Sequence, residues 1–123
     1  MGKREDIKKT YKLYIGGKFP RTESGRYIKW TDPKNTTYVN VCRGSRKDFR
    51  NSVVVARNAL TDWSSRTAYN RSQILYRIGE MLEGKRSQFR DELMLQGASK
   101  NAAENEINRA IDRLIYYAGW TDK

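Results

Sequence analysis

Apolar positions change their period along this chain. From Tyr11 to Val41 they alternate with polar positions or sit in short runs: "YKLYI", then Gly16-Gly17, then "KF", and later "RYIKW" and "TYVNV" after Gly25 and the Asp32-Pro33 turn. A period of two bounded by glycine and proline predicts short strands. Paired glycines accept the positive φ of a tight turn, so "KLYIGGKF" predicts an antiparallel hairpin that the other strands extend into a small antiparallel sheet. Pro20 and Pro33 fall at strand edges or turns, where a missing N–H does no damage.

From Ser45 the period becomes helical. Ser45 is a candidate N-cap, and Phe49, Val53, Ala56, Leu60 and Trp63 follow at spacings of three and four, forming one face that requires a partner. A second helix, starting near Thr67 or Ala68, repeats the pattern with Ile74, Leu75, Ile78 and Leu82. Gly84 interrupts it before a shorter segment carrying Phe89, Leu93 and Met94, which Gly97 closes as a C-cap. A last helix from about Ser99 sets Ala103, Ile107, Ala110, Ile111, Leu114 and Ala118 along a single stripe. The predicted fold class is α+β, a small N-terminal antiparallel hairpin or sheet followed by three to four amphipathic helices. Short connections imply neighbouring, roughly antiparallel helices. The organisation reads as a basic leader over 1–10, strands over 11–44 and a helical layer over 45–123.

Composition narrows the setting. A chain of 123 residues has the size of one domain with one modest core. The runs "SVVVA" and "RLIYYAGW" fall far short of a membrane span, and the basic opening has no apolar stretch behind it, so a cytoplasmic location with no membrane partner is expected. The single cysteine, Cys42, permits no internal disulfide, and without histidine the chain lacks the usual ingredients of a zinc site; no metal is expected. Asn35-Thr36-Thr37 spells a glycosylation sequon that a cytoplasmic chain would never present to the modifying machinery. The net charge of +11 is uneven: residues 1–50 hold 14 Lys/Arg against 5 Asp/Glu, and residues 51–123 hold 11 against 9. A basic half points to an anionic partner, an acidic protein surface or nucleic acid. With no RNA-recognition aromatic signature, zinc finger or glycine-flanked nucleic-acid loop, nucleic acid is the less favoured of the two.

Several apparent motifs do not hold chemically. "GEMLEGKR", Gly79 to Arg86, nearly spells a phosphate-binding loop, but Arg86 replaces the hydroxyl residue that holds magnesium, and the segment lies inside an amphipathic helix whose amides are already bonded. Cys42 has no histidine to activate it and reads as a small strand residue. Glu104 and Glu106 are two apart on a helix and diverge, while Glu80 and Glu83 read as a solvated face with Arg77 and Arg86. Trp63 and Trp120 continue apolar stripes, which favours packing over base or sugar stacking.

Taken in order, "LYIGGKF" with "SGR", an Asp-Pro turn, "DFRNSVVVARNALTDW", "RSQILYRIGEMLE" and "YYAGWTDK" resemble the N-terminal part of the NAD(P)-dependent aldehyde dehydrogenases, from about Lys12 to Lys123. "LYIGGKFPRTESGR" with "VCRGSRKDFR" is most similar to the second dehydrogenase-like unit of the family-sixteen type. The resemblance implies a large α/β enzyme that oxidises aldehydes to acids with NAD(P), of which this chain is roughly the first quarter. The catalytic cysteine, the glutamate base, the oxyanion asparagine and the cofactor contacts lie in later segments of that family, so no position here is assigned a catalytic or cofactor-binding role.

Two expectations follow. One is a truncated dehydrogenase-like domain, inactive alone and binding no cofactor by itself, that self-associates or joins a complementing dehydrogenase chain, with Tyr116, Tyr117 and Trp120 near the contact. The other is a small basic interaction module that binds an acidic protein or nucleic acid.

Overall fold

The computed structural model describes residues 10–34 and 38–123. The leader and the sequon of the sequence analysis lie mainly or wholly outside the described residues. Contacts divide the chain into two compact units, Met1–Leu60 and Thr61–Lys123.

The first unit is built on a three-stranded sheet of β1 (Thr10–Tyr11), β2 (Tyr27–Thr31) and β3 (Tyr38–Cys42), in the order β1-β3-β2. β2 and β3 pair antiparallel, from Tyr27 opposite Cys42 to Thr31 opposite Tyr38. β1 lies parallel to β3, with Thr10 opposite Asn40, so the sheet is mixed where the sequence predicts a purely antiparallel one. The reason lies in the turn. Gly16 and Gly17 take φ of 64° and 74° and fold the chain back through reciprocal Ile15–Lys18 backbone bonds, but the pairing ends after Leu13 N–H reaches the Pro20 carbonyl. The residues before it are then free to run alongside β3. Lys29 on β2 places its ammonium 3.9 Å over the Tyr38 ring.

α1 (Arg46–Ser65) begins at Ser45, as its N-cap chemistry predicts. The Ser45 hydroxyl accepts the Asp48 N–H at 3.2 Å while the Asp48 carboxylate accepts the Ser45 N–H at 2.8 Å, a reciprocal closure of the first turn.

The second unit holds α2 (Ala68–Gly84), α3 (Arg86–Leu95) and α4 (Lys100–Ala118). Thr67 and Ser99 cap α2 and α4 by accepting the N–H groups of Asn70 and Ala102. Gly84 ends α2 and Gly97, at φ 103°, closes α3, both as predicted. The core sits on the predicted stripe of α4: Ala103, Ile107, Ile111 and Ala118 are buried, and Ala110 and Leu114 half-buried. Gly79 is buried on α2 opposite this helix, with Leu114 and Ile115 alongside. Among the described residues, no helix is long and apolar enough to cross a membrane.

Candidate functional site

The last turn of α4 gathers the aromatic residues singled out from sequence. Tyr116 meets Tyr117 edge-on with ring centroids 5.3 Å apart, and Trp120 tilts against Tyr116 at 5.8 Å. Lys123 places its ammonium 5.3 Å from the Trp120 ring centre. The cluster is open to solvent, with 57%, 59% and 48% of Tyr116, Tyr117 and Trp120 exposed. Its base is fixed, because the Arg71 guanidinium on α2 donates to the Thr121 carbonyl at 3.2 Å.

The other predicted faces divide. Leu75, Ile74 and Leu82 of α2 are half-buried, but Ile78, Phe89 and Met94 remain exposed, and on α1 the whole stripe of Phe49, Val53, Ala56, Leu60 and Trp63 is exposed. Periodicity locates an apolar face; whether that face is covered depends on what is there to cover it. Trp63 and Trp120 therefore both lie outside the core. Cys42 is buried at the end of β3, as a small strand residue would be.

Charged side chains form structural pairs. Arg77 bonds Glu80 at 3.0 Å and Arg86 bonds Glu83 at 2.6 Å, as the helical spacing predicts. Arg86 also reaches Glu104 of α4 at 2.9 Å, with Arg90 at 3.6 Å from the same carboxylate, so α3 is tied to α4. Hydrogen bonding to Arg86 holds Glu83 below the usual carboxylate range, and Glu83 followed by Glu104 raises Arg86 further above neutrality. Glu106 is exposed and takes no part, so the two glutamates diverge as their spacing requires.

Sequence reasoning missed the buried network around Asp48. Thr22 Oγ1 donates to its carboxylate at 2.5 Å, Ser45 N–H at 2.8 Å and Glu23 N–H at 3.1 Å. These donors, Thr22 first, hold its pKa down at about 2. Only the Ser-x-x-Asp spacing at the helix start was available as a signal.

The helix starts among the described residues are already engaged. β3 does pass through Arg43-Gly44-Ser45 into α1, the order a phosphate site requires, but the Asp48 carboxylate occupies that helix start and would repel a phosphate. The first turns of α2 and α4 are capped by hydroxyls, and α3 begins where Lys85 N–H is bonded to Met81 and Leu82 carbonyls. Among the described residues, no group of three or more Cys, Asp or Glu could hold a metal ion.

The family model of the aldehyde dehydrogenase family matches residues 19–123. An aldehyde dehydrogenase of Vibrio cholerae is 39% identical over 78 residues, covering 63% of this chain and 15% of that protein. D-glyceraldehyde dehydrogenase (NADP(+)) of Thermoplasma acidophilum is 28% identical over 114 residues, covering 91% of this chain and 23% of that one. A solved aldehyde dehydrogenase point mutant from Bacillus cereus superposes with a TM-score of 0.86 at 25% identity, over 94% of this chain and 24% of its own. The mixed sheet and four helices match the N-terminal part of that fold. The chain spans a quarter or less of the length of these relatives.

Proposed function

This chain belongs to the aldehyde dehydrogenase family, and from that premise we propose that it serves as the N-terminal segment of an NAD(P)-dependent dehydrogenase. In this reading, oxidation of an aldehyde to an acid is the work of an assembly. These residues supply outer strands and a helical layer, and the nicotinamide site and reactive thiolate come from further polypeptide or from a complementing chain. The 123 residues by themselves bind no NAD(P) and oxidise no aldehyde, because hydride transfer requires a held nicotinamide and an activated thiol. A cytoplasmic setting goes with this chemistry.

One observation carries the reading: Tyr116, Tyr117 and Trp120 form an ordered aromatic surface that the chain itself leaves open. Exposed aromatic clusters of this kind mark contact sites, and here the contact is a second copy or a complementing dehydrogenase chain. The test is to assay the purified chain with NAD and NADP over a panel of aldehydes, alone and after co-expression with a polypeptide carrying the cofactor-binding and catalytic segments. Turnover without a partner overturns it.

A second reading, a basic interaction module, is favoured by the charge of the first unit. Residues 10–60 carry 11 Lys/Arg and 3 Asp/Glu. Asp32 and Asp48 are buried, and Glu23 is engaged with Ser45 at 3.0 Å and Lys47 at 3.8 Å. The outward field is therefore positive, and an acidic protein or nucleic acid is its natural partner.

A further inference from the structure

We propose that the outward face of the Gly16-Gly17 hairpin, together with the start of α1, binds single-stranded nucleic acid. The proposal deepens the second reading above by choosing between its two partners, and it stands apart from the dehydrogenase reading.

The hairpin's register creates the surface. Ile15 exchanges both backbone bonds with Lys18, at 3.0 and 3.2 Å, and Leu13 donates to Pro20 at 3.1 Å. That register sets Tyr14 opposite Phe19. Alternation turns both rings to one side of the hairpin, with Leu13 and Ile15 half-buried. The two rings lie 5.1 Å apart at 44°, and 68% of Tyr14 and 67% of Phe19 are exposed. The opposite side of the turn is seated on α1, where a Cβ added to Gly16 would come within 3.3 Å of Val55.

A shallow cleft of about 330 Å³ between the hairpin and the start of α1 is lined by Leu13 and Ile15 as well as by Tyr14 and Phe49, and Phe49 is 72% exposed. Phe49 also lines the adjoining open hollow at the helix start, together with Arg46, Lys47 and Arg50. The exposed rings are thus bordered by side-chain cations at the start of α1. Phosphates would meet these cations and not the α1 amides, whose first turn Asp48 already closes.

The rings decide between the partners. A purely acidic polypeptide such as polyglutamate would use the charges and leave Tyr14, Phe19 and Phe49 in water. Unpaired bases have π faces for all three, and phosphates at the spacing of a strand for the cations. A duplex offers the phosphates but hides the base faces.

The experiment is fluorescence anisotropy with a labelled oligothymidine and a labelled oligouridine, against a DNA duplex and polyglutamate, at about 50 and about 200 mM salt. Both single strands should bind more tightly than the duplex and the polypeptide, and binding should weaken with salt. Tyr14→Ala with Phe19→Ala should lower affinity about tenfold or more with little change in salt slope, whereas Tyr14→Phe should retain it, since stacking needs the ring and not the hydroxyl. Arg46→Ala with Arg50→Ala should flatten the slope by about 1.4 for two lost phosphate contacts. Circular dichroism checks that each variant folds. No binding at low salt overturns the proposal. Equal binding of duplex, single strand and polyglutamate, with the ring variants inert, also overturns it while leaving the acidic-partner reading in place.

Discussion

Thr22 and Asp48, 26 positions apart in sequence, are joined by a buried hydrogen bond of 2.5 Å that fastens the loop before β2 to the first turn of α1. Removing the hydroxyl leaves a buried carboxylate short of a donor. Thr22→Val should therefore destabilise the protein by about 2 kcal/mol, the range for a hydrogen bond to a charged group. Thr22→Ser should recover most of the loss. Paired denaturant titrations measure both, and a Thr22→Val midpoint equal to wild type would refute the assignment.

Acid should expose the same network. Asp48 is held at about 2 in the fold, whereas an unfolded aspartate titrates near ~3.9. The folded state thus favours the carboxylate. Its contribution is complete above about pH 4 and is lost as pH falls toward and through about 2. Asp48→Asn should start less stable at neutral pH and show a shallower acid limb across that window. Thermal melts at stepped pH would detect the change in slope.

Gly79 gives a prediction whose sign depends on size. An added Cβ would lie 3.7 Å from Leu114 Cβ and 3.9 Å from Ile115 Cγ1, which is ordinary contact. Gly79→Ala should therefore stabilise α2 by about 0.5 to 1 kcal/mol through helix propensity. Gly79→Leu should cost about 1 to 3 kcal/mol by overpacking against α4. If alanine also destabilises, the helices lie closer than described.

The two turn glycines should separate conformational cost from steric cost. Gly17 has φ 74° and nothing within 4 Å of an added Cβ, so Gly17→Ala should cost about 1 kcal/mol from backbone strain alone. Gly16→Ala should cost more, because its methyl also meets Val55 at 3.3 Å. Comparing the two with Val55→Ala in the background isolates the second contribution.

Trp120→Ala should leave the thermal midpoint nearly unchanged, since the ring is half in water. It should instead reduce self-association or complementation by a dehydrogenase chain, read by light scattering and co-purification. Tyr116→Ala should act in the same direction through loss of the ring that Trp120 leans on. A monomer at all concentrations, indifferent to both changes, would remove this surface from the proposed contact.

Much of the architecture was legible because helices announce themselves by period and by caps. Ser45, Thr67, Ser99, Gly84 and Gly97 each mark a helix end in the structure as they do in the sequence, and the α4 stripe is the core. Two things were not legible. The parallel placement of β1 depends on where the Gly16-Gly17 pairing stops, which local alternation does not encode. The Thr22–Asp48 bond joins distant polar residues whose types are ordinary in loops and helix starts. The candidate surfaces show the same limit. Tyr116, Tyr117 and Trp120 stand out as a run, whereas Tyr14, Phe19 and Phe49 come together only through hairpin register and its seat on α1.

Lys29 gives the sheet a consequence of another kind. β2 is an outer strand of the described sheet, and Lys29 stands at its middle, over the Tyr38 ring. A strand from another copy laid in register along that edge would bring ammonium against ammonium and draw Lys29 off its aromatic seat. Lys29 thereby disfavours in-register growth of the sheet along its β2 edge, where such growth would also break the cation–ring contact.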